Sequence, residues 1–113
     1  MQETLVLPLS GERRVAYCYV CPNKVKQFEQ YVKQKLRKEC TLYKSEELVK
    51  RGYFGLGLEN SKLLERIGDY TLIMKENYVI FDELLGEKRS FHIGNHGGIS
   101  KEEMFVPLIV IKC

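Results

Sequence analysis

An amphipathic helix set between two short apolar segments constrains this chain more than any other feature. After Pro22-Asn23, side chains that can cover a core recur at Val25, Phe28, Tyr31/Val32 and Lys35/Leu36. Those three- and four-residue steps are the spacing of a helix with one buried face. Asn23 is a good N-cap, and the helix is expected to run to about Lys38. Before it, residues 15–20 (VAYCYV) read as a strand, apolar on both faces and therefore central in a sheet covered on both sides. After it, residues 40–43 (CTLY) read as another. This strand–helix–strand start allows a right-handed parallel crossover.

The remaining segments are shorter. Residues 4–9 are an apolar first segment that ends at the turn signal Ser10-Gly11-Glu12. Ser45 is placed to cap a short helix, EELVKR, with carboxylates in its first turn, bases in its last and Gly52 at the stop. Asn60 or Ser61 caps a second short helix, KLLERI, ended by Gly68. Residues 70–74 and 78–81, separated by Lys75-Glu76-Asn77, have the composition of a β-hairpin. Ser100 opens a capping box with Glu103. Beyond Pro107, residues 108–111 (LIVI) make a wholly apolar strand of the kind found at a sheet centre. The expected fold is α+β: a mixed sheet of about five or six strands, with one long and two or three short helices, in a single domain over residues 1–113.

Length and composition agree with one core. A chain of 13.2 kDa scales to roughly 6,400 Å² of folded surface against roughly 19,000 Å² unfolded, enough burial to fold without obligatory disulfides or metal. The hydrophobic fraction of 44% and charged fraction of 29% exclude disorder and collagen-like structure. No apolar run approaches the ~20 residues of a membrane span, and the start, MQETLVLPLSGERR, lacks a secretory apolar region. A soluble, cytoplasmic chain with no membrane partner is expected. The 18 basic and 15 acidic residues leave +3, with a pI near 8.6, below the range typical of nucleic-acid-binding domains. The outer face of the long helix carries Lys24, Lys26, Lys33, Lys35, Arg37 and Lys38, which reads as a solvated face. A nucleic-acid reading would rest on Lys33, Arg37 and Lys38.

Cys18 and Cys21 form a C-x-x-C, the spacing of redox motifs and of half a zinc site. Cys40 and Cys113 stand alone, so no second pair completes the zinc pattern. A thioredoxin-like cysteine also belongs at a helix N-terminus, whereas Cys18 lies inside a strand. The cysteines therefore read as small buried hydrophobes. The loop 53–58 (YFGLGL) reads as aromatics packed over the sheet with glycines at positive φ, since a lone G-x-G does not make a dinucleotide site.

Both histidines, His92 and His96, fall in the polar, glycine-rich stretch 86–98, GEKRSFHIGNHGG. Gly97 and Gly98 would let the backbone turn tightly beside His96 and leave its imidazole facing a metal or substrate. The acidic residues within reach by sequence, Asp69, Asp82, Glu83 and Glu102, show no metal-site spacing, and a structural turn competes with the metal reading.

The run HGGISKEEMFVPL, residues 96–108, resembles the C-terminal signature of the alkaline phosphatase superfamily in its phosphodiesterase-like and PglZ-type branches. Residues 65–82, ERIGDYTLIMKENYVIFD, resemble the region before that signature. The resemblance covers the last ~50 residues. It implies that His96 is one ligand of a divalent metal, often zinc, with Gly97, Gly98, Ser100 and Glu103 shaping the loop; His92 takes no matched role. In that superfamily two metals flank a Ser or Thr nucleophile and hydrolyse phosphate or sulfate esters by in-line displacement. The nucleophile segment, the early aspartate and the Asp-His-Gly motif have no counterpart here, and Ser10 and Ser45 lack a metal-ligand neighbourhood. The resemblance therefore implies the C-terminal piece of a larger hydrolase: no catalytic residue of its own, zinc or another divalent metal only with ligands from a missing N-terminal half, and inactivity alone. A non-enzymatic, homo-oligomeric binding or assembly module is the alternative, since apolar strands such as FVPLIVI would otherwise stand bare.

Overall fold

The computed structural model describes residues 1–83, 86 and 92–112. Cys113 and much of the polar stretch before His92 lie outside those residues. The fold is α+β. A four-stranded sheet is built from β1 (Ser10–Glu12), β2 (Val15–Cys18), β3 (Cys40–Lys44) and β4 (Tyr70–Met74), in the order β1-β2-β4-β3 with every neighbour antiparallel. The helices are α1 (Val25–Lys35), α2 (Ser45–Lys50), α3 (Leu63–Ile67) and α4 (Lys101–Met104).

The crossover through α1 leads from β2 to β3 as expected, but β4 sits between them. Both are antiparallel to β4, so they run parallel to each other one strand apart. A helix ~10 Å across spans two strand spacings of ~4.8 Å, which leaves the gap that β4 fills. β4 takes the inner seat because YTLIM is the most buried strand, with Leu72 and Thr71 fully enclosed.

One sheet face carries Ala16, Cys18, Cys40, Tyr70, Leu72 and Met74, and α1 lays Phe28 and Val32 over it. The Phe28 and Tyr70 rings meet at 5.4 Å and 53°, and the Tyr70 hydroxyl donates to Glu29 at 2.5 Å. Val15, Tyr17, Thr41, Tyr43 and Ile73 alternate onto the other face and are half-buried, with Phe54 against Tyr17 and Arg51 over the Tyr43 ring. The glycines of that loop, Gly55 and Gly57, take positive φ as expected. Leu56 and Leu58 project into solvent rather than packing on the sheet.

Several expectations are corrected. Among the described residues the sheet has four strands with every neighbouring pair antiparallel, not the five or six of a mixed sheet. In the apolar first segment Gln2–Thr4 forms a 3₁₀ turn, Leu5 bridges Val20 singly, and the Leu9 N–H goes to Asp82. Ser10-Gly11-Glu12 is β1 itself, and Arg13-Arg14 is the turn. Residues 78–81 do not form a hairpin with β4, because β2 and β3 already occupy both of its edges. They lie instead along the β1–β2 turn, where the Ile80 N–H donates to Arg13 O at 2.9 Å. Residues 108–111 join no sheet. Ser45 does not cap α2; it is fully buried, donates to Ile67 O at 3.0 Å and therefore accepts from Thr71 at 2.9 Å. Asn23 lies in the 3₁₀ turn Pro22–Lys24 rather than at the N-cap, and α1 ends at Lys35.

Candidate functional site

The site begins at the tightest turn of the sheet. Arg14 follows β1, and its side chain is only 6% exposed, which requires a partner for its charge. That partner is Glu103 on α4, reached at 3.1 Å from Nε and 2.9 Å from Nη2 in a two-pronged contact. Nη1 donates to Tyr78 O at 2.7 Å. One guanidinium thus joins the β1–β2 turn, the segment after β4 and α4.

Glu103 passes this order on to the loop. It closes the expected capping box with Ser100, and its two oxygens also accept from the Gly98 N–H at 3.1 Å and the Ser100 N–H at 3.3 Å. The hydrogen bonds from Arg14 hold its carboxyl well below the usual range, at about 2, and the same pair raises the Arg14 guanidinium. The carboxylate is an anchor, ionised at any ordinary pH.

The glycines of His96-Gly97-Gly98 sit where a side chain would not fit. Gly97 sits at φ +86° over β1, where a Cβ would fall 2.7 Å from the Glu12 side chain. A Cβ on Gly98 would overlap the Glu103 carboxylate. Both let the loop lie down on the sheet and its anchor. His96 stands exposed above them, and His92 is exposed as well. Beside the loop an open cleft of about 780 Å³ runs between Glu76, Asn77, Asn95 and Glu102. Glu76, at φ +42°, holds a strained backbone on its rim.

The acidic residues considered for a metal are not gathered around His96. Asp82 accepts from Leu9 N–H at 2.8 Å and Gln2 Nε2 at 2.9 Å, and Asp69 accepts from Val20 N–H at 2.8 Å. Among the described residues no three His, Cys, Asp or Glu side chains lie close enough to hold a metal ion. A catalytic zinc takes three protein ligands, so these residues do not by themselves fit one, and His96 offers a single donor. Burial pushes the Cys18 thiol up to about 12 and the Cys40 thiol up to about 11, the reverse of what a reactive thiolate needs.

Arg14, the anchor of the loop, has no mark in the sequence alone. Its partner lies 89 positions away, and nothing local marks it apart from the doublet Arg13-Arg14 where a turn follows a strand. No protein-family profile, curated protein or solved structure matches this chain.

Proposed function

We propose that the chain is the C-terminal domain of a metal-dependent phosphate or sulfate ester hydrolase of alkaline phosphatase type, catalytically incomplete alone. The observation that carries the reading is the anchor Arg14–Glu103–Gly98, which fixes the run His96-Gly97-Gly98, Ser100, Glu103 as one unit with His96 facing outward. A histidine on an anchored loop can serve as one ligand of a metal whose other donors come from elsewhere. The nucleophile and remaining ligands are then supplied by another polypeptide segment.

Zinc titration followed by NMR tests this. The His96 ring signals are expected to shift weakly and selectively, the response is lost in His96→Ala, and the pure chain shows no phosphodiesterase activity with zinc. Robust hydrolysis of bis-p-nitrophenyl phosphate by the pure chain, or zinc shifts that ignore His96, would overturn it. The alternative, a non-enzymatic homo-oligomeric assembly module, is favoured by one observation: residues 105–111 are apolar and bare.

A further inference from the structure

We infer that α1 is a DNA-binding helix, which lies in the major groove of a duplex with its glutamines on the base edges and its lysines on the phosphates of both strands. The net charge of +3 hides a segregation: residues 24–38 carry six bases and one acid, +5, so the rest of the chain is −2. The one acid, Glu29, is half-buried and accepts from the Tyr70 hydroxyl. Lys26, Lys33, Lys35, Arg37 and Lys38 are exposed, and none pairs with a carboxylate among the described residues. Lys75, also exposed, donates to Arg37 O at 2.7 Å and brings a further cation beside them. A basic surface without counter-charges is complementary to a polyanion.

What lies between the bases narrows the polyanion. At about 100° per residue, Gln27, Gln30 and Gln34 form one stripe on the side away from the buried Phe28 and Val32. Lys26 and Lys33 border that stripe on one flank, Tyr31 and Lys35 on the other, and all seven side chains are exposed. A helix about 10–12 Å across fits a major groove about 12 Å wide, where its crest meets base edges and its flanks meet the two backbones. Glutamine can pair there in two-pronged fashion with N6 and N7 of adenine.

The same surface disfavours other polyanions. A helix lying on a membrane turns its apolar face to the lipid, and the apolar face of α1 is spent on the sheet. Single strands are held by several stacked aromatics, whereas α1 exposes Tyr31 alone. Duplex RNA closes its deep, narrow major groove to side chains. The inference uses no residue of the His96 loop, so it stands or falls separately from the hydrolase reading.

The test is a fluorescence-anisotropy titration of the full chain into two labelled DNA duplexes of about 20 base pairs, one containing A·T pairs and one of G·C only, in EDTA. Log K is expected to fall with log salt at a slope of about −4, the release from four or five phosphates, or about 250-fold between about 50 and 200 mM NaCl. The duplex with A·T pairs should bind at least about fivefold tighter. Lys26→Gln with Lys33→Gln should lower the slope by about 2 and weaken binding at least about tenfold at low salt. Gln30→Ala with Gln34→Ala should remove the A·T preference and leave the slope. Neutralising Lys62 and Lys112, exposed residues outside α1, should leave both, and every variant should keep the melting temperature of the parent. No binding to duplex DNA, binding that ignores Lys26 and Lys33, or equal affinity for the two duplexes would each overturn the proposal. So would tighter binding to single strands, to duplex RNA or to phosphatidylserine vesicles in parallel titrations.

Discussion

Removing the Arg14 guanidinium leaves Glu103 partly buried with a charge and no cation beside it, and frees Tyr78 O from its donor. Arg14→Ala is therefore expected to destabilise the chain by roughly 2–4 kcal/mol, read from urea unfolding. In Glu103→Gln the Gly98 and Ser100 amides lose their anionic acceptor and should exchange faster. The pair also sets a pH dependence. Glu103 titrates near 4.5 when unfolded and at about 2 when folded, so its stabilisation is complete above pH ~4.5 and is lost as pH falls towards 2. The loss should be observable as falling stability and loss of Gly98 amide protection over that window. Constant stability between pH 5 and 2 would contradict the anchor. Gly97→Ala places a Cβ at φ +86° against Glu12 and should cost about 1–2 kcal/mol, with the loop amides more affected than those of β4.

At the scale of elements, two apolar segments of similar composition should respond in opposite ways. Leu72→Ala empties the fully buried centre of β4 and is expected to cost about 3–4 kcal/mol. Leu108→Ala changes a side chain that is 86% exposed, and should fall within about 0.5 kcal/mol in the isolated chain. Comparable losses at both sites would show that residues 105–111 are packed on their own protein. The same contrast shows what the sequence made legible. Local spacing marked α1, β2, β3, β4, both short helices and the capping box, because each is written within a few residues. It could not say which edges of β4 were free, so residues 78–81 read as a hairpin arm that no edge could accept. Nor could it separate a strand buried in its own sheet from one of identical pattern left bare at 108–111. Ser45 looked like a cap from its neighbours, but Thr71, 26 positions away, set its role. Arg14 was invisible for the same reason.

For the whole molecule, the Cα radius of gyration of 16.2 Å exceeds the about 13 Å usual for this length. The fold has a core around β4 and α1, with the apolar residues 105–111 exposed outside it. The central claim is that the anchored loop presents His96 as one ligand of a metal that this chain cannot hold alone. The most direct test is zinc titration of the purified chain followed by NMR. The account predicts weak, selective shifts of the His96 ring signals, lost in His96→Ala, and no phosphodiesterase activity with zinc present. Zinc shifts that ignore His96, or robust phosphodiester hydrolysis by the pure chain, would contradict it.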